Sequence, residues 1–144
     1  MIPTEGQSYP QLGVPEMDQT HEVFVQHIAL VETAGDADVL ARLDDLITHT
    51  EEHFAQEKSW MESMNFPQIG CHSVEHDGVL MVVREARRYV EEGKPEVGRV
   101  LARELGEWFK QHAATMDAML ANAMLNQGEG MVSCEGGACG HQPG

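Results

Sequence analysis

The chain has 144 residues, which suits one domain and is long enough to bury a single core without disulfide staples. Nine basic residues stand against 24 acidic ones, a formal net charge of -15 with no Lys/Arg block to offset it, so nucleic acid and anionic membrane surfaces are poor partners. No apolar run approaches the roughly 18–20 residues of a spanning helix, so membrane insertion is not expected either.

Residues 1–16 read as an extended arm, since the first fifteen hold three prolines and two glycines with few apolar positions. Met1-Ile2-Pro3-Thr4-Glu5 also lacks the basic and apolar regions of a signal peptide. Helix is predicted from near Met17 or Asp18 to Ala34, with Phe24, Ile28 and Val31 at helical spacing beside His21, and Gly35-Asp36 breaks it. Asp36 or Asp38 then caps a second helix, whose apolar stripe runs from Val39 through Leu43, Leu46, Ile47, Phe54 and Met61 to Met64. It ends at Asn65-Phe66-Pro67, where proline removes a backbone donor and disfavours helix just before it. After Gln68-Ile69-Gly70, a third helix is predicted from Cys71 or His72 to Glu92. Gly93-Lys94-Pro95 stops it and starts a fourth, which runs from Pro95 to Leu125 or Asn126.

Four helices on short connections favour an all-α, antiparallel up-down-up-down bundle over residues 17–126. From Gln127 to Gly144 the composition turns Gly-rich, and a mobile tail is expected. Cys134, Cys139 and His141 in that tail leave a local disulfide, a soft metal ion or a docking contact open. Cys71 reads as a plain helix-start residue. The three cysteines do not form the framework of a secreted disulfide domain, so a reducing, cytoplasmic setting is expected.

The histidines carry the chemistry. His21 stands alone, His53 precedes Glu57 by four residues, His72 precedes His76 by four, and His112 precedes Asp117 by five. Side chains four apart lie one turn above each other, about 40° around the helix, so each of the two close pairs presents two donors on one face. Those faces coincide with the apolar stripes. Imidazoles and carboxylates buried there without a partner cost several kcal/mol per charged group, roughly, and a metal is the compensation that suits them all. On a regular helix Asp117 lies about 140° around from His112, which suits it to reach sideways between two ions. Five imidazoles and two carboxylates exceed the four ligands of structural zinc and fit a pair of six-coordinate first-row ions, iron foremost, with manganese and zinc open. His49, one turn before His53, reads either as support for a ligand or as an exposed histidine. Phe54, Trp60 and Trp108 read as core.

The order His21, His53-Phe54-x-x-Glu57, His72-x3-His76, Trp108-Phe109-x-x-His112-x4-Asp117 resembles the hemerythrin family, over the span from about Met17 to Leu125. The resemblance implies a non-haem di-iron centre with an oxo or hydroxo bridge that takes O2 as a reversible ligand. His72, His76 and His112 would hold one iron and His21 and His53 the other, with Glu57 and Asp117 bridging and an open position on the second. Phe109 and Ala113 resemble pocket-lining positions where relatives more often carry branched aliphatics. The implied role is oxygen storage, transport or delivery to an oxygen-consuming recipient protein, by a binding protein and not an enzyme. The competing expectations are an oxygen or redox sensor, a di-iron peroxide or nitric oxide reductase, and an iron-handling protein.

Overall fold

In the computed structural model of the chain the described residues are 9–126. The expectations for residues 1–8 and for the tail, with Cys134, Cys139 and His141, lie outside them. Four long helices make up the fold: α1 (Pro15–Glu32), α2 (Val39–Ser63), α3 (Ile69–Glu91) and α4 (Pro95–His112). A π turn (Ala113–Asp117) then leads into a short α5 (Ala118–Leu125), and a 3-10 turn (Asp36–Asp38) precedes α2. Among the described residues there is no strand, and no helix is long and apolar enough to cross a membrane. The long helices pack neighbour against neighbour in a ring, α1 on α2 and α4, and α3 on α2 and α4.

Two boundaries differ from the sequence reading for identifiable reasons. Helix α1 starts at Pro15, because proline's fixed φ and missing N–H suit a first helical turn. The Asp18 carboxylate fastens the chain just before it, accepting hydrogen bonds from the backbone N–H of Leu12 (2.8 Å) and of Gly13 (3.0 Å). Helix α3 starts at Ile69 and so includes Ile69 and Gly70, two of the three residues read as a connection. Ile69 packs into the lower core beside Phe66, and Asn65 makes the turn out of α2 in the left-handed region at φ 55°.

The interior is divided along the helix axes. One apolar cluster gathers Phe24, Ile28, Leu43, Leu46, Ile47, Val83, Leu101, Leu105, Phe109 and Ala113, among others. A second gathers Val14, Met17, Met61, Phe66, Leu120 and Ala121. Along the chain several candidate metal residues fall between a member of one cluster and a member of the other: His21 between Met17 and Phe24, His53 and Glu57 between Ile47 and Met61, Asp117 between Ala113 and Leu120. Each fully buried apolar side chain stabilises the fold by roughly 1.5–3 kcal/mol, and the two clusters together hold a polar layer inside the bundle.

Cys71 departs from its sequence reading: it lies within α3 and is disulfide-bonded, so it is not a plain helix-start residue.

Candidate metal centre

All seven side chains singled out by spacing meet in that layer, and none is more than 4% exposed. Helical register brings them there: His53 and Glu57 on α2, and His72 and His76 on α3, each stand one turn apart. His112 and Asp117 depend on a different device. The N–H of Ala118 bonds back to the carbonyl of Ala113, five residues earlier. That wider turn restores Asp117 to the inner face, and its Oδ1 lies 3.1 Å from His112 Nε2. A regular helix would leave the two well apart around the axis, so the sideways reach expected of Asp117 is replaced by direct alignment.

The donors fall into two groups. In one, Glu57 Oε1 lies 3.2 Å from His72 Nε2 and 3.4 Å from His76 Nε2, while Asp117 Oδ1 lies 3.1 Å from both His72 Nε2 and His112 Nε2. In the other, Glu57 Oε2 is 3.0 Å from His53 Nε2 and 3.4 Å from His21 Nε2, and Asp117 Oδ2 is 3.2 Å from His21 Nε2. Each carboxylate thus gives one oxygen to each group.

Three observations fit this cage to cations. Neither Asp117 oxygen has a hydrogen bond of proper geometry, although both are fully buried and face imidazole nitrogens. His76 Nε2 and His112 Nε2 point at each other across 3.2 Å, where two neutral imidazoles can share at most one proton. The donor atoms of Glu57, His72, His76, His112 and Asp117 all lie within 4.8 Å of one another, as do those of His21, His53 and Glu57.

Electrostatics of the protein alone reinforce the point. Burial works against the charged form of His21, but the adjacent Asp117 and Glu57 carboxylates outweigh it and raise its pKa to about 9. His112 reaches about 9 in the same way, with burial opposed by Asp117 and then Glu75, and His72 is also raised. At His76 burial dominates, aided by the neighbouring His72 and His112, and pushes the value down to about 2. Burial pushes the carboxyl groups of Glu57 and Asp117 upward, yet the surrounding imidazoles hold both well below the carboxylate range. A cation held in the layer would take over the work that these protons do.

Around the donors lies a shell of rings. Phe109 meets His21 edge-on at 4.9 Å and Phe24 at 5.0 Å, and Phe24 meets His53 edge-on at 5.2 Å. Ala113 is fully buried in the same apolar cluster. Phe109 therefore stands on the side of His21 and His53. His49 is placed otherwise: its Nε2 pairs with the Thr20 carbonyl at 3.2 Å, and it approaches His53 only ring to ring, at 5.9 Å.

Residues 12–124 match the family model described as Hemerythrin HHE cation binding domain. The chain belongs to the hemerythrin family. Among hemerythrin relatives, the bacteriohemerythrin of Ralstonia nicotianae (strain ATCC BAA-1114 / GMI1000) is 43% identical over 117 residues, covering 81% of this chain and 85% of its own length. That of Aquifex aeolicus (strain VF5) is 30% identical over 114 residues, covering 75% and 87%. That of Stenotrophomonas maltophilia (strain R551-3) is 25% identical over 123 residues, covering 81% and 80%.

Three residues at the hemerythrin site lie beyond what spacing reveals. Phe54 and Trp108, read as core, stack flat on ligand-set rings: Phe54 on His76 at 3.7 Å and 2°, Trp108 on His112 at 4.4 Å and 22°. Their positions beside His53 and four residues before His112 were the available signal. Glu75 accepts a hydrogen bond from His112 Nδ1 at 3.0 Å, and that bond, against partial burial, holds its carboxyl below the usual range. Nothing in the spacing marks Glu75 as different from the solvated acidic residues of α3.

Proposed function

We propose that this chain is a reversible O2-binding protein built on a pair of non-haem iron ions, serving oxygen storage, transport or delivery, and that it is not an enzyme. The single observation that carries the reading is the division of Glu57 and Asp117, each with one oxygen toward His72, His76 and His112 and the other toward His21 and His53. On this reading His72, His76 and His112 would hold one iron and His21 and His53 the other, with Glu57 and Asp117 serving both. The His21 side has one fewer imidazole, and O2 would be taken there. The proposal takes residues 17–126 as the functional unit, with helices alternately up and down as their short connections favour.

An iron pair, when bound, would supply reversible two-electron exchange with O2. The chain's own residues do the rest. The buried imidazoles and carboxylates fix the spacing of the ions before they arrive, so little reorganisation is needed. Phe109 and Phe24, with Ala113 in the same apolar cluster, would keep water from the His21 side and so limit hydrolytic loss of the bound gas. Phe54 and Trp108 hold the rings of His76 and His112 in place by stacking.

The test is a visible spectrum of iron-loaded protein, reduced without air and then cycled between O2 and argon. Absorption that appears under O2 and disappears under argon is the expected result. Passage straight to an irreversible oxidised form overturns the binding role and favours redox chemistry or sensing.

A further inference from the structure

Five imidazoles enter the polar layer, and their outer nitrogens are not treated alike. The Nδ1 atoms of His21 and His53 are buried without a hydrogen-bond partner. His112 Nδ1 donates instead to the carboxylate of Glu75, at 3.0 Å. Glu75 belongs to α3 and His112 to α4, so the bond crosses between helices, and its two ends differ sharply in exposure: the His112 side chain is 1% exposed and that of Glu75 40%. Trp108 is stacked on the same imidazole, and with Glu75 it lines a cavity of about 410 Å³ opening between α3 and α4.

We propose that Glu75 is a positioning residue for the metal centre, acting through His112. By accepting a hydrogen bond from Nδ1 it fixes the orientation of the ring, keeps Nε2 facing Asp117 Oδ1 and His76 Nε2 as the nitrogen that would bind an ion, and makes that nitrogen the more basic ligand. The consequence is an asymmetric pair of metal positions. The one held by His72, His76 and His112 has a ligand backed by an anion, while His21 and His53, on the more open position, have no such backing. A more basic ligand favours the higher oxidation state of the ion it holds, so Glu75 biases oxidation toward the His112 side. The carboxylate does this from the wall of an outward-facing cavity, within reach of solvent.

The inference rests on the reading that His112 holds a metal ion, and its test separates the two. Wild type, Glu75→Gln, Glu75→Ala and a control, Glu85→Ala, are compared for ferrous ion affinity by chelator competition and for reduction potential after iron loading. Glu85 lies on the same helix, but its carboxylate pairs with Arg88 at the surface. Glu75→Ala is expected to lower affinity about 10–100-fold, the usual cost of removing a partner behind a ligand. Gln retains an oxygen that accepts from Nδ1, so Glu75→Gln is expected to recover most of that affinity. It removes the negative charge, however, and should raise the potential by about 59 mV for a tenfold loss of preference for the oxidised state. Glu85→Ala should change neither quantity.

If Glu75→Ala matches wild type in both readouts, or if Glu85→Ala changes them as much, the assignment of Glu75 is overturned. If Gln and Ala lose affinity equally, the hydrogen-bond role is overturned. Failure of wild type itself to take up iron overturns the metal reading instead. Glu75 is partly exposed, and circular dichroism melting of each metal-free variant establishes that it folds before the comparison is made.

Discussion

Asp117 Oδ1 lies 3.1 Å from His112 Nε2 although five residues separate them, because the helix opens into one π turn between the two. That turn places one carboxylate against both imidazole groups, and with Glu57 it accounts for how a four-helix chain assembles seven donors without a loop contributing any.

Removing a bridge should therefore be costly twice over. Glu57→Ala takes from His53 the carboxylate it faces and leaves His21 and His72 with Asp117 alone, a loss of about 3–5 kcal/mol for a broken buried pair. It should also abolish stable uptake of two ions, as should His112→Ala. Iron analysis after desalting is the check, and variants that both keep two irons per chain would show the ligand assignment to be wrong.

The pH behaviour follows from signs. His21 and His112 have folded values near 9 against an ordinary 6.5, so the stability they contribute to the metal-free protein is complete below 6.5 and lost as pH rises through 9. Glu57 and Asp117 are depressed below their ordinary 4.5 and 3.8, so their contribution is present above those values and lost on acidification. His76, held down to about 2 by burial, works the other way, since its unfolded form takes up a proton below 6.5 and the folded form does not. The melting temperature of metal-free protein should therefore peak near pH 6.5, falling both on acidification and toward pH 9. Metal affinity should run the other way over pH 7–9, because each ion displaces protons from His21 and His112. Calorimetry in buffers of different ionisation enthalpy measures that release; zero proton release at pH 7 would contradict the account.

Much of this was legible in the sequence. Spacing marks His53 with Glu57 and His72 with His76, since a regular helix brings residues four apart together and the structure keeps both helices regular. Four helices also follow from the stripe of apolar residues and the stops at Gly35, Pro67 and Gly93. The π turn was not legible, because the segment Ala113–Asp117 has no residue that forbids a regular helix and the wider turn is stabilised only by what surrounds it. Pairing between helices, such as Glu75 with His112, depends on packing that no single helix encodes. The same holds for the stacking of Phe54 and Trp108, which composition alone assigns to core.

Far from the site, α4 crosses α2 and α3 at Gly98. A Cβ there would lie 2.7 Å from Val39 Cγ1 and 3.0 Å from Val90 Cγ2, both on stiff, buried side chains. Gly98→Ala should destabilise by about 1–3 kcal/mol through overpacking, although alanine is the better helix former. Urea denaturation tests this, and unchanged iron stoichiometry in the same variant would mark the effect as one of packing. A stabilised variant would mean the contact relaxes freely.

Phe109 covers the His21 side. Phe109→Leu keeps an apolar wall but loses the edge contact, at about 1 kcal/mol in stability. The oxygenated protein should decay several-fold faster, as followed by loss of its visible absorption, while iron content stays at the wild-type level. An unchanged lifetime would remove Phe109 from the pocket.

The most direct test of the central claim is anomalous diffraction at the iron edge from crystals of the iron-loaded protein. Two peaks are predicted, one bonded to His72, His76 and His112, the other to His21 and His53, with Glu57 and Asp117 bridging. A single peak, or two that leave either carboxylate unbridged, would contradict it.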